Sequence, residues 1–408
     1  MPNQFLSPEG DLENYFVTEY WLIDQWVGDT LWTWGNSGNQ GRLGDNTNFT
    51  IICTPITTFA GGNNWKQSSS GNSGGATAAI KTDGTLWIWG NISNGQLGNN
   101  NATIAICTPV TTFAGGTNWK QVSCGNGHVA AIKTDGTLWT WGSNSSGELG
   151  TNNTIDRSTP VTTFAGGTDW KQVSCGANHI AAIKTDGSLW TWGRGNFVSG
   201  IGGLGTNSAA NISTPVTTFA GGNNWKQVSS GEFITAAIKT DGTLWVWGRN
   251  DYFGFTGSLG TNSATNISTP VTTFAGGNNW KQVSANALSM AAIKTDGTLW
   301  TWGWNRFGYI GDNTIIPRCT PVTTFAGGTN WKQVSVGMEY MSAVKTDGTL
   351  WSWGYNSSGN SGSLGNNRTI NSSTPVTTFA GGTNWKQVAC GLNCTAVTSG
   401  TDPTFFIA

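Results

Sequence analysis

Charge is scarce in this chain. Of 408 residues only 10% are Asp, Glu, Lys or Arg, and the formal net charge is −1. Such a balance exerts no pull on nucleic acid or anionic lipid, so no nucleic-acid partner is expected. There are two histidines, and no paired acids, nucleophile with a base, or metal-type cluster recurs within one segment. The expectation is a non-enzymatic protein with no metal and no cofactor. No run of about 20 apolar residues occurs, so no membrane insertion is expected. The opening "MPNQFLSPEGDLEN" lacks the basic and apolar regions of a secretory signal. CxxC is absent too. Cys53, Cys107 and Cys319 precede a "TP" step, and Cys124, Cys175 and Cys390 end a "KQV(S/A)" segment; Ser, Ala or Val fills the same places elsewhere. Interchange of that kind marks small packing residues. Low charge does not here mean disorder, because 24 tryptophans supply apolar surface to bury.

What is present is repetition. "KTDGTLWTWG" at 133–142 has close copies at 81–90, 184–193, 239–248, 294–303 and 345–354, and "VGDTLWTWG" at 27–35 is a degenerate seventh. The second Trp of each LWxWG recurs at intervals of 55, 52, 51, 55, 55 and 51 residues. A period of that size with β-type composition points to propeller blades rather than helical solenoids.

One unit reads as four strands. "WKQVSC" alternates, with Lys120, Val122 and Cys124 on one face and Gln121 and Ser123 on the other. "HVAAIKT" is the second strand, and Asp-Gly predicts a two-residue hairpin turn. "LWTWG" is the third, with Trp139 and Trp141 sharing a face. "TPVTTF" is the fourth, its proline suiting an edge or a strand start. Small residues suit the two strands near an axis, and paired Trp the widening rim. The C-terminal "WKQVACGLNCTAVTSG" offers first and second strands only, while "LWTWG" at 31–35 and "TPITTF" at 54–59 offer the missing third and fourth. The expected fold is therefore all-β: a seven-bladed propeller of four-stranded antiparallel blades, one blade closed by N- and C-terminal strands.

The pattern "CGxxH.AAIKTDGTLWTWG.N..GxLG", best seen at 138–150 and 175–187, resembles the repeats of the regulator of chromosome condensation family. The resemblance covers about residues 31–400 and implies a seven-bladed propeller. It also implies a choice of roles. The family's founder is a nucleotide exchange factor for a small nuclear GTPase and binds nucleosomes, and a bacterial relative is a secreted inhibitor that clamps β-lactamases. This chain has no basic extension for chromatin. Its near-identical linkers "PVTTFAGGTNWKQVS" resemble repeat proteins of marine bacteria and their phages.

Comparing the units with one another separates constant from variable segments. "KTDGT" and "FAGGTNW" hardly change. The connections between first and second strands, and between third and fourth, change freely; an up-down blade places both on one side of the disc. All seven Arg and four of the six Tyr lie there. Arg194, Phe197, Arg249, Tyr252, Phe253, Phe255, Trp304, Arg306, Phe307, Tyr309, Tyr340 and Tyr355 are the candidate partner-binding residues, of types that dominate binding interfaces. His128 and His179 share one repeat position and read as structural.

Residues 1–30 stand outside the repeat. They are acidic, lack Lys and Arg, and carry Phe5, Tyr15, Phe16, Tyr20, Trp21 and Trp26. The expectation is two parts: an aromatic docking segment at 1–30 and a propeller at 31–408. The segment either ties the disc to a larger body or plugs the ring's own end. The expected function is structural or binding work in a phage virion, as tail fibre, adhesin or capsid decoration, bound to other virion proteins through residues 1–30 and to a cell-surface glycan or receptor. The alternatives are an intracellular, cytoplasmic protein-binding propeller acting as inhibitor or exchange factor, and a carbohydrate-binding module with Tyr252, Trp304 and Tyr309 as sugar platforms.

Overall fold

Each repeat folds into four antiparallel strands because its apolar residues alternate at a period of two and its turns hold the residues a reversal demands. The computed structural model describes residues 29–37, 40–47, 51–71, 75–91, 93–100, 105–195, 203–252, 254–286, 288–357, 362–391 and 394–400. Blades 1 to 6 span 65–111, 119–162, 170–217, 225–272, 280–323 and 331–377. Blade 7 has the strand order Ile51–Thr57, Thr30–Asn36, Cys394–Ser399, Trp385–Cys390, so the chain's two ends pair to close the ring. Blade 2 is representative: Trp119–Cys124, His128–Lys133, Leu138–Gly142 and Arg157–Thr162, from axis to rim. The family fold expected from the repeats is the fold observed.

Three local expectations change. The first strand does not alternate throughout: its register shifts between Trp119 and Gln121, which turns Lys120 out to solvent while Val122 and Cys124 stay buried. The fourth strand runs two residues earlier than read, and Phe164 lies beyond its end. All seven equivalent phenylalanines, from Phe59 to Phe379, are 57–67% exposed. The KTDG turn has three residues, not two: Gly136 N donates to Lys133 O and Lys133 N to Thr137 O, both at 3.0 Å. Gly136 takes φ +81°, the left-handed residue of a type I turn with a bulge. A Cβ there would lie 2.0 Å from the Thr168 carbonyl oxygen, where "FAGGT" of the same blade presses on the turn.

The repeated decapeptide is a closed mechanical unit. The Asp135 carboxylate accepts from Thr137 N (2.9 Å) and Thr137 Oγ1 (2.7 Å), and Thr137 Oγ1 accepts from Trp139 Nε1 (2.9 Å). The Thr137 bonds hold the Asp135 carboxyl below its ordinary range. Lys133 Nζ sits 4.8 Å from the Trp119 ring centre and 4.6 Å from that of Trp139. Trp119 packs edge-on against both Trp139 and Trp141. Trp141 is fully buried and donates across to the Gln96 carbonyl of blade 1 at 2.8 Å. Burial of each such indole removes about 200 Å² from water, and the cluster it joins spans neighbouring blades, so the core is a set of seams.

Candidate functional site: the variable face

Both variable connections emerge on one side. The 1–2 and 3–4 connections of a blade zip together there: Ser143 N donates to Gly127 O, Arg249 N to Phe233 O, Trp304 N to Leu288 O and Tyr355 N to Glu339 O, at 2.8–2.9 Å. The constant turns meet on the opposite side, where Trp170 N donates to Gly136 O at 3.0 Å.

Much of each long connection is scaffold. After leaving the third strand it dives inward, burying Leu149 and its counterparts Leu43, Leu97, Leu204, Leu259, Ile310 and Leu364. It then turns on an asparagine with positive φ, seven times over, from Asn46 to Asn367. The amide of that residue donates to the outer strand of the next blade, as Asn152 N does to Ser213 O at 2.8 Å. Gly147 of the same connection lies over Ser213, whose Cα would be 2.6 Å from an added Cβ. A glycine pressing on that strand explains why only Ser or Cys occupies it, at Cys53, Cys107 and Cys319 among others. Sequence reading missed this latch, although its signal, an Asn at a fixed distance after each LG or IG, recurs in every unit.

The candidate residues divide by burial. Arg306 is exposed, and Phe307, Trp304, Tyr355, Arg194 and Arg249 are half-buried. Phe307 stacks 4.8 Å from Tyr355 and 5.9 Å from Tyr309, and the Arg306 guanidinium caps it at 5.2 Å. Arg249 lies 5.5 Å from the Phe233 ring and pairs with Asp251 at 3.2 Å. Tyr309 and Tyr340 are corrected: each is 1% exposed. The Tyr309 hydroxyl donates to the Glu339 carboxylate, and burial pushes both of their pKa values up. Tyr340 opens a second strand, and its hydroxyl accepts from Thr395 Oγ1 at 3.1 Å. These two rings support the face from beneath, and Tyr309 offers no sugar platform. Tyr252 and Phe255 pair in a two-residue ladder within the blade 4 connection, an added hairpin that sequence reading did not anticipate. Phe197 and Phe253 lie outside the described residues, as do Phe5, Tyr15, Phe16, Tyr20, Trp21 and Trp26.

His128 and His179 are buried at the equivalent place of adjacent blades. Burial lowers their pKa to about 3 and about 4, so both are neutral near pH 7. His179 Nε2 bonds Thr235 Oγ1 of the next blade at 2.9 Å. His179 thus bolts blade 3 to blade 4, whereas His128 Nε2 is buried without a hydrogen-bond partner, Ile180 standing where blade 4 has Thr235. The buried thiols follow the same logic: burial pushes Cys390 up to about 11, which makes it an inert packing group. Among the described residues no group of three His, Cys, Asp or Glu could hold a metal ion.

Comparison with known proteins agrees with this architecture. Residues 27–315 match the RCC1-like domain, and residues 296–344 and 347–398 each match the regulator of chromosome condensation (RCC1) repeat. The chain is 32% identical to the ultraviolet-B receptor UVR8 of Arabidopsis thaliana over 281 residues, 68% of this chain and 61% of that protein. It is 27% identical to the human E3 ubiquitin-protein ligase HERC2 over 322 residues, 77% of this chain but 6% of that one. The chain thus spans less than two thirds of the length of either relative. Prp20p of Saccharomyces cerevisiae superposes with a TM-score of 0.77 at 17% identity, covering 93% of each chain, and human WBSCR16 with 0.74 at 20% identity, covering 92% of this chain and 99% of that one. The domain match over more than half of the chain, continued by two matched repeats to residue 398, establishes that this chain belongs to the RCC1-like domain family.

Proposed function

We propose that the protein binds a protein partner through its variable face, centred on blades 5 and 6, and performs no chemistry of its own. The observation that carries this is the Arg306 guanidinium over Phe307, whose ring packs against Tyr355 and against buried Tyr309, itself bonded to half-buried Glu339. An exposed guanidinium on a rigidly supported aromatic pair is the anatomy of a binding hot spot. Prp20p is described as binding Gsp1p and histones; that likeness carries the fold alone, and the partner reading here rests on the patch. A virion is the setting that fits the weakly charged, repeat-built disc, as tail fibre, adhesin or capsid decoration. Mass spectrometry of purified particles should find the chain; particles without it would end the virion reading. The binding face has its own test. Arg306→Ala should release a co-purifying partner by at least tenfold in affinity, on the order of 1.4 kcal/mol, while stability stays within about 0.5 kcal/mol. Equal capture by both proteins would reject the patch.

A further inference from the structure

The constant face holds an unexplained asymmetry of charge. Every lysine of the chain lies in a WKQ or KTDG segment, thirteen in all. The KTDG lysines are held between indoles, as Lys133 is. The seven WKQ lysines are different. Each sits in the register shift of an inner strand and is exposed, so together they ring the axial channel where it opens on the constant face. Lys66, Lys332 and Lys386, from three successive blades, line one cavity of about 470 Å³ there, with Gln333, Gln387 and Asp29. Lys386 pairs with Asp29. Among the described residues no carboxylate pairs with the other six.

Sorting the remaining charges by position sharpens the point. Against the thirteen lysines, the described residues of the constant face carry the six turn aspartates, Asp29 and Asp169, an excess of five positive charges; the one acid left, Asp402, lies outside the described residues. The variable face carries seven Arg and seven acids and is neutral. Residues 1–28 carry Glu9, Asp11, Glu13, Glu19 and Asp24 and no Lys or Arg, an excess of five negative charges. The described chain begins at Asp29, already inside the lysine-lined cavity and bonded to two blades: Asp29 O accepts from Trp65 N at 2.9 Å, and its carboxylate meets Lys386.

We infer that the lysine ring is a docking surface for an acidic aromatic peptide and that its occupant is the chain's own segment 1–28. The segment is tethered at the ring's edge, so its effective concentration there is that of a short linker, in the millimolar range. Its carboxylates meet lysines that repel one another, and its aromatic residues can lie over the channel mouth. The interaction lies at exposed charges and is screened by salt within about 10 Å at 0.1 M.

The test uses the full chain and limited chymotrypsin digestion, which reports cleavage at Tyr15, Phe16 and Tyr20. At 20 mM NaCl the wild-type segment should resist. At 500 mM NaCl, or in Lys66→Gln/Lys332→Gln/Lys386→Gln with the ring intact by tryptophan fluorescence, cleavage should be on the order of tenfold faster. Arg306→Gln, on the other face, should cleave as slowly as wild type. Dextran sulfate should displace the segment and speed cleavage of the wild type but not of the triple variant. Equal cleavage of wild type and triple variant at low salt overturns the inference. So does dextran sulfate that binds the wild-type protein and leaves the segment as protected as before, since the ring would then be free for an external polyanion.

Discussion

Six of the seven seams between blades carry the same Gln and Ser stitching along the axis, and the seventh does not. Where blade 2 meets blade 3, the Gln121 amide bridges to Val173, donating from Nε2 to its carbonyl (3.1 Å) and accepting from its N–H (3.0 Å). Ser123 Oγ then accepts from Cys175 N at 2.9 Å. The same three side-chain bonds recur at each seam from blade 1 through to blade 7. Where blade 7 meets blade 1, Gln387 Oε1 is buried without a partner, Ser68 stands where the others have Val, and Ala389 replaces the serine. That seam keeps its outer ties: Asn46 N donates to Cys107 O at 3.0 Å and Trp89 Nε1 to Arg42 O at 2.8 Å. Near the axis that seam has one long contact, Ser68 Oγ donating to the Ala396 carbonyl at 3.5 Å, so closure depends mainly on the rim and on strand pairing of the chain ends, while the Gln and Ser stitching serves the other junctions.

Acid should attack the stitched seams first. His128 and His179 lie between blades 2, 3 and 4, and burial lowers their folded pKa to about 3 and about 4 from an ordinary 6.5. The unfolded chain takes up these protons at higher pH than the folded one. The stabilisation is thus complete above about pH 6.5 and is lost as the pH falls toward 4. It amounts to roughly 3 kcal/mol per histidine by that point. Urea denaturation between pH 7 and 4.5 should show this fall. His128→Ile/His179→Ile, which copies Ile234 at the equivalent place, should flatten it. A fall of the same size in that variant would place the acid sensitivity elsewhere.

The comparison of seams has a direct form in one substitution made twice. Gln121→Ala strands the Val173 N–H and carbonyl in a half-buried site and should cost about 2 kcal/mol. Gln387→Ala removes a side chain whose Oε1 has no partner and should change stability by about 0.5 kcal/mol or less. Urea midpoints at pH 7 would measure both, and equal costs would erase the distinction between the seams.

The propeller was legible because seven copies of one strand pattern state their own period, and because the halves of the seventh blade complement each other. The face assignment followed from an even number of strands. What stayed hidden concerns contacts between copies. Gln121 and Ser123 look like a solvent-facing stripe in one repeat, and only the neighbouring blade turns them into a latch. Tyr309 and Tyr340 look like loop aromatics, but the long connection folds inward and takes Tyr309 with it. The weak seam did leave a trace: Gln387 is kept while Val gives way to Ser68 and Ser to Ala389, a change visible once the partners are known.

The smallest effect probes the open seam from the other direction. At the six stitched junctions a serine hydroxyl accepts the amide two residues past the Gln-bridged residue, so Ala389→Ser should place Oγ where the Ser70 amide can donate. A hydrogen bond of this kind contributes about 1 kcal/mol net. The gain should appear as a higher urea midpoint with an unchanged slope, since the surface exposed on unfolding is the same. The reverse change at a stitched junction, Ser123→Ala, should lose about as much, because it leaves Cys175 N as seam 7–1 leaves Ser70 N. If Ala389→Ser proves neutral while Ser123→Ala destabilises, blades 7 and 1 stand too far apart near the axis for a hydroxyl to bridge, and the gap is one of spacing rather than of residue type.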